Sequence, residues 1–195
     1  GHNILVSGGT QAGKTTLLNA LLNEISPSQR VVTIEEVFEL QPRVPDSIQM
    51  QTRSANLQGD GAISLRKLIK EALRMRPARL VVGEVREAEA LDLLIALNSG
   101  LPGMGTLHAN STKDAISKLQ MLPLLAGENI SYEFIAPVVA AAIDIAIQVS
   151  IDEDGFRRVT EVAHITGRLE KNLVEIEMLW HWNGAEYVRG IGRVA

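Results

Sequence analysis

The sequence has no cysteine, which excludes a disulfide framework, a thiolate metal site and a cysteine nucleophile, and is compatible with a reducing cytoplasm. Aromatic residues make up only 4% of the 195 residues. The apolar remainder is mostly Leu, Ile, Val and Ala, the material of aliphatic layers where helices cover a sheet. Long hydrophobic runs are lacking too. The longest uncharged apolar stretch, residues 134–143, contains Pro137 and falls far short of the roughly 20 residues a bilayer span requires. There is no basic excess: a net charge of -4 argues against a dedicated nucleic-acid binder, which needs clustered cations on one face. His2, His164 and His181 show no ligand spacing, so no zinc site is proposed. Internal repeats and low-complexity segments are missing as well.

What is present is an apolar fraction of 46% beside 22% charge, the balance of a globular protein with one main core. Strand-like and helix-like stretches alternate. Ile4-Leu5-Val6 leads into Ser7-Gly8-Gly9 and then into a helical stretch over 14–25, with Leu17, Leu18, Leu21 and Leu22 on one face. The β-branched run at 30–34 is of the kind a parallel sheet buries on both faces, and 48–51, 80–84 and 105–108 read as further strands. Ser64 caps a helix that turns Leu65, Leu68, Ile69 and Leu73 inward and ends at Pro77; another spans about 88–98 and closes at Gly100. Ser111 or Thr112 caps a third helix, Ser131 a fourth that Pro137 kinks, and Ile143, Ile145, Ile147 and Val149 alternate as a strand. Segments 157–165, 173–182 and 186–188 read as β, broken at Gly167 and at Asn183-Gly184. The fold class is therefore α/β. A mainly parallel sheet covered by helices occupies residues 1–150, and a small C-terminal β extension of the same domain occupies 151–195.

The sharpest motif is Gly8-Gly9-Thr10-Gln11-Ala12-Gly13-Lys14-Thr15, which satisfies the P-loop spacing and stands between a strand and a helix, as the motif requires. Backbone N–H groups of such a loop and of the helix N-terminus point at phosphate oxygens. Lys14 reaches the β and γ phosphates, Thr15 ligates Mg²⁺, and Thr16 adds a phosphate contact. ATP and Mg²⁺ are the ligands this chemistry calls for.

Other candidates stand at strand ends, where open α/β sheets bind ligands. Glu84 closes an apolar run and is the candidate to orient the attacking water; the bland alternative is an acid favoured by the dipole of the following helix. Glu35 and Glu36 could assist as bases, with Glu36 holding the metal through water, or else form a loop salt bridge. His108 ends another strand and could sense the γ phosphate, although a lone histidine is more often structural.

At these residues the chain resembles the secretion-superfamily traffic ATPases, nearest to the branch serving tight-adherence (Flp-type) pili and conjugative transfer. The similarity runs over about residues 3–166 and rests on four ordered blocks: 8–16 (Walker A), 33–36 (Asp box), 80–86 (Walker B) and 105–110 (His box). The segment Leu73-Arg74-Met75-Arg76-Pro77 ahead of Val82-Gly83-Glu84-Val85-Arg86 is especially similar. The resemblance implies a RecA-like P-loop NTPase fold and ATP hydrolysis across the interfaces of a homo-hexamer. It also implies work on a pilus or secretion machine at an inner-membrane platform, from the cytoplasmic face; the acidic balance leaves no direct nucleic-acid contact expected. In that family another domain precedes the first strand, whereas this sequence opens at the strand and reads as the catalytic domain alone. Gln11 stands where a glycine is usual, Glu36 where an Asp is, Ala78 replaces an Asp and Glu87 a small residue. Arg53 and Arg66 are candidates to stabilise phosphate charge in a neighbouring subunit, and Arg86 either joins them or bridges Glu84 to the Asp box. The rival reading is a nucleotide-binding regulatory or assembly subunit that hydrolyses little. A GTPase is disfavoured by the missing Asn-Lys-x-Asp signature, and a DNA motor by the acidic balance.

Overall fold

The computed structural model describes residues 1–127 and 129–194. Strands β1 (Ile4–Gly8), β2 (Val31–Glu35), β3 (Ser47–Gln51), β4 (Arg79–Val85), β5 (Gly103–Leu107) and β6 (Ile145–Ile151) form the core of one sheet. Strands β7 (Arg157–Glu170), β8 (Leu173–Trp182) and β9 (Tyr187–Arg189) extend it, in the order β3-β2-β4-β5-β1-β6-β7-β8-β9. Pairing is parallel from β3 through β6 and antiparallel from β6 to β9. The central strands β2 and β5 are buried along their whole length, because helices cover both faces and every side chain of a doubly covered strand is inside. The edge strand β3 is only partly buried.

One face carries α2 (Leu65–Ala72), α3 (Glu89–Asn98), α4 (Thr112–Met121) and α5 (Tyr132–Ala142), which place Ile69, Leu94, Leu119 and Ile135 in the main core. The other carries α1 (Lys14–Asn23), whose Leu18 and Leu22 pack with Val31, Leu40, Val44, Val81 and Met104. Each fully buried leucine contributes about 1.5–3 kcal/mol, so α1 is fixed to the sheet by burial, not by its cap. Ser64, Ser111 and Ser131 cap α2, α4 and α5, each accepting from the backbone N–H three residues on. Ser111 is therefore the cap, and Thr112 the first helical residue.

Several boundaries differ from the sequence reading, each for a local reason. Helix α2 ends in a 3-10 turn over Leu73–Met75, which rotates Leu73 off the inward face and leaves it exposed, and the chain leaves the turn at Arg76 in a left-handed conformation (φ 53), one residue before Pro77. Ile143 is the C-cap of α5, so β6 starts at Ile145 after Asp144, whose carboxylate accepts from the backbone N–H of Asn3 at 2.6 Å. β7 does not break at Gly167. It shifts register against β8 between Ile165 and Leu169 and turns at Lys171 and Asn172, whose φ values of 49 and 66 suit a tight hairpin. β5 ends at Leu107, leaving His108 just past the strand.

The RecA-like arrangement puts the ends of β1, β2, β4 and β5 side by side at one edge of the sheet, and the candidate residues stand there.

Candidate functional site

Gly8 ends β1 where a Cβ would stand 2.5 Å from the carbonyl oxygen of Val149, so only glycine lets the chain turn here beside β6. The loop then takes two left-handed residues, Gln11 (φ 60) and Gly13 (φ 98), before α1 begins at Lys14. Gly13 adopts this conformation freely, while at Gln11 it carries strain of about 1–2 kcal/mol. The Arg157 guanidinium braces that point, donating from Nε to the Gln11 carbonyl at 2.9 Å.

Lys14 folds back over the loop. Its Nζ donates to the carbonyls of Gly8 (3.1 Å) and Gly9 (3.0 Å) and lies 3.6 Å from Glu84 Oε1. Only 11% of the Lys14 side chain and 23% of Glu84 is exposed, so the pair attracts more strongly than a surface ion pair. Glu84 Oε2 is gripped by Arg86, which also reaches Glu36 Oε2 with Nη1 at 2.9 Å. The hydrogen bond to Glu84 and its charge, with Glu36 and Glu89 adding, raise the Arg86 pKa above its already high value, so the guanidinium stays charged. Glu89, in the first turn of α3, accepts from the backbone N–H groups of Arg86 and Glu87 and fixes the chain just past β4.

Glu35 does something different. It is 2% exposed, and its Oε1 accepts from the backbone N–H groups of Glu39 and Leu40, both at 2.9 Å. That bond sets the loop after β2, so that Glu39 Oε2 accepts from the Thr15 hydroxyl at 2.9 Å. Asn19 secures the same loop to α1 through the Glu39 carbonyl and the Gln41 N–H. Glu35 Oε2 is buried without a protein partner and borders the cleft. A buried carboxylate oxygen left unpaired is costly, and this one is placed to accept from water or a ligand.

These groups line one cleft of about 870 Å³, bounded by residues 10–16, Glu35, Glu36, Glu39, Gly83, Glu84, Arg86, Thr106, His108 and Arg157. A space of this size accommodates a nucleotide-sized ligand. His108 faces it, with its carbonyl held by Lys118 Nζ at 2.9 Å. Thr106 donates to the Gly83 carbonyl at 2.5 Å and ties β5 to β4 beside Glu84. Among the described residues no cluster of three or more His, Cys, Asp or Glu forms a metal cage. The oxygen set of Thr15, Glu36 and Glu39 fits a hard cation that takes most of its ligands from water and phosphate.

Two sequence candidates stand apart. Arg53 pairs with Ile63 through the backbone and clips its own loop, Nε to the Gly61 carbonyl at 2.7 Å. Arg66 Nε binds Asp92 Oδ2 at 2.6 Å, joining α2 to α3. Neither lines the cleft of its own chain. Sequence reasoning did not single out Glu39, Thr106 or Arg157. Glu39 was within reach as a third acid four residues past Glu35; Arg157, 146 residues from Gln11, had no local signal.

The model of the family described as Type II/IV secretion system protein matches residues 1–153. The chain is 37% identical over 169 residues to the conjugal transfer protein TrbB of Rhizobium radiobacter, covering 85% of this chain and 49% of that protein. It is 35% identical over 173 residues to the type IV secretion system protein PtlH of Bordetella pertussis, covering 86% of this chain and 51% of the relative. Among solved structures, the VirB11 ATPase of the Brucella suis type IV secretion system, crystallised with sulphate, superposes with a TM-score of 0.76. The two are 29% identical, over 85% of this chain and 50% of that one. The chain spans about half the length of the curated relatives it matches.

Proposed function

Because the chain belongs to the Type II/IV secretion system protein family, we propose that it is the ATP-hydrolysing part of a ring-forming motor serving pilus assembly, protein secretion or conjugative transfer. The observation that carries the chemistry is the chain of charges Lys14–Glu84–Arg86–Glu36 laid across a P-loop. Lys14 is held by two neutral carbonyls and, at 3.6 Å, one carboxylate, partners that a polyphosphate with several charged oxygens outcompetes. When Lys14 moves onto phosphate, Glu84 Oε1 is released to accept from a water while Arg86 keeps the carboxylate oriented through Oε2. Glu84 then positions the water, because Arg86 fixes the direction of its carboxylate through Oε2.

Thr15 with Glu39, and Glu36 through water, are the residues that would hold Mg²⁺. When bound, the metal neutralises phosphate charge. The loop amides and Lys14 bind the phosphates, and His108 faces the same space to sense whether the terminal one is present. Arg53 of a neighbouring subunit is the proposed trans cation; Arg66 is less available because Asp92 holds it. Among the described residues no helix is long and apolar enough to cross a membrane. Work at the cytoplasmic face of an inner-membrane platform, as a hexamer in the whole protein, completes the proposal.

One observation favours the rival reading of a nucleotide-binding assembly subunit with little turnover: both Glu84 oxygens are engaged by cations. Phosphate release decides between them. The motor reading expects turnover that rises with protein concentration and is lost in Lys14→Ala and Glu84→Gln. Nucleotide binding without turnover at any concentration would leave only the assembly role.

A further inference from the structure

Arg157 opens β7, the first antiparallel strand, and alternation along that strand sends it and Arg158 to opposite faces. Arg158 pairs with Asp152 at 2.6 Å and lies over the rings of Phe156 and Trp182. Arg157 turns the other way, over the P-loop. Its Nε holds the Gln11 carbonyl at 2.9 Å, and its Cδ lies 3.3 Å from where a Gly13 Cβ would be.

Among the described residues, three Lys or Arg side chains line the cleft. Lys14 is paired with Glu84, and Arg86 with Glu84 and Glu36. Arg157 alone makes no salt bridge among the described residues, and only its Nε is engaged, leaving the Nη donors open to the cleft. An unpaired guanidinium bordering a loop of phosphate-directed amides is chemically an anion contact. Its contacts, Gln11 and Gly13, lie on the loop itself and include none of the acids around Lys14 and Arg86.

We propose that Arg157 is a nucleotide-binding residue contributed in cis by the β extension. Its Nη groups contact the part of the phosphate chain shared by ADP and ATP, while Nε clamps the left-handed Gln11. The proposal rests on the P-loop reading above. It gives the extension a task at the nucleotide: closing the loop from the side opposite the hydrolytic acids.

The test measures Kd for fluorescent ADP and ATP in the full chain and in Arg157→Ala, Arg157→Gln, Arg157→Lys and Lys14→Ala, with thermal melts to confirm folding. Arg157→Ala should weaken both nucleotides alike, about tenfold, the value of one charge-assisted hydrogen bond. Turnover at saturating ATP should stay within about threefold, so the loss appears in KM and not in kcat. Arg157→Gln keeps a donor for the Gln11 carbonyl but no charge, and should be as weak as Arg157→Ala. Arg157→Lys should recover part of the affinity. If Arg157→Gln binds like the unaltered chain, Arg157 is only a clamp and the contact is refuted. Unchanged ADP affinity in Arg157→Ala, with binding lost in Lys14→Ala, overturns this proposal alone. No nucleotide binding by the unaltered chain overturns the P-loop reading and this proposal with it.

Discussion

Replacing Arg66 separates a structural arginine from one offered to a neighbour. The Asp92 carboxylate has a side chain only 7% exposed and is held by Arg66 Nε at 2.6 Å and Lys70 Nζ at 3.4 Å. Breaking a fully buried pair costs about 3–5 kcal/mol because a charge is left behind, whereas exposed pairs are worth about 1 kcal/mol or less. Arg66 is 38% exposed and Lys70 remains to hold the carboxylate, so Arg66→Ala belongs between these limits, at about 1–2 kcal/mol. For a chain of this size that lowers Tm by about 2–8 °C. Circular-dichroism melts of Arg66→Ala, Asp92→Ala and the double variant measure it. The double variant should be less destabilised than the sum, since its partners are lost together. Nucleotide affinity of the folded fraction should stay within about twofold. An unchanged Tm, with loss of concentration-dependent turnover, would refute the structural role and return Arg66 to the subunit interface.

Adding one methyl at Gly83 should act on the nucleotide through Glu35. Its Cβ would lie 2.9 Å from Glu35 Cγ, so Gly83→Ala displaces the carboxylate that anchors Glu39 and Leu40. Nucleotide affinity should fall roughly three- to tenfold, as one or two hydrogen bonds of about 1 kcal/mol are weakened; an unchanged Kd would show that the loop after β2 does not depend on Glu35. Acid should loosen the antiparallel strands. The Arg158 hydrogen bond lowers the Asp152 pKa below its ordinary 3.8, and the Arg168 bond, with Thr166, lowers Glu175 below 4.5. Groups depressed in the folded state contribute stability above their ordinary values and lose it as pH falls through the folded ones, so the loss begins near pH 4.5 and continues below. Near-ultraviolet circular dichroism of Trp180 and Trp182 on β8 should report it, and Arg168→Ala should reduce the Glu175 share.

The parts of the site that the sequence reveals are those built from neighbours in the chain. The P-loop is contiguous, and its requirement for a preceding strand and a following helix can be checked within 25 residues. Glu35 and Glu84 are visible because an apolar run that ends in an acid places it at a strand end, whichever strands lie alongside. Arg157 was invisible because its approach to Gln11 depends on the order β1-β6-β7, which no local pattern encodes. Arg53 and Arg66 looked free because their partners, the Gly61 carbonyl and Asp92, are set by loop closure and helix packing. Glu39 is the acid that meets the Thr15 hydroxyl, while Glu36, the acid expected to reach the metal through water, is also tied to Arg86; Glu35 sets this division by anchoring the loop at Glu39 and Leu40. β7 overran Gly167 for a similar reason: cross-strand bonds to β8 carry the strand past a residue that alone reads as a break.

The most direct measurement is a crystal structure of the chain grown with ADP. The account predicts the β phosphate within about 3 Å of the backbone N–H groups of Gly13, Lys14 and Thr15. Lys14 Nζ should then have left the carbonyls of Gly8 and Gly9 for phosphate oxygen. A nucleotide bound away from this loop, or bound here with Lys14 still on those carbonyls and Glu84, would contradict it.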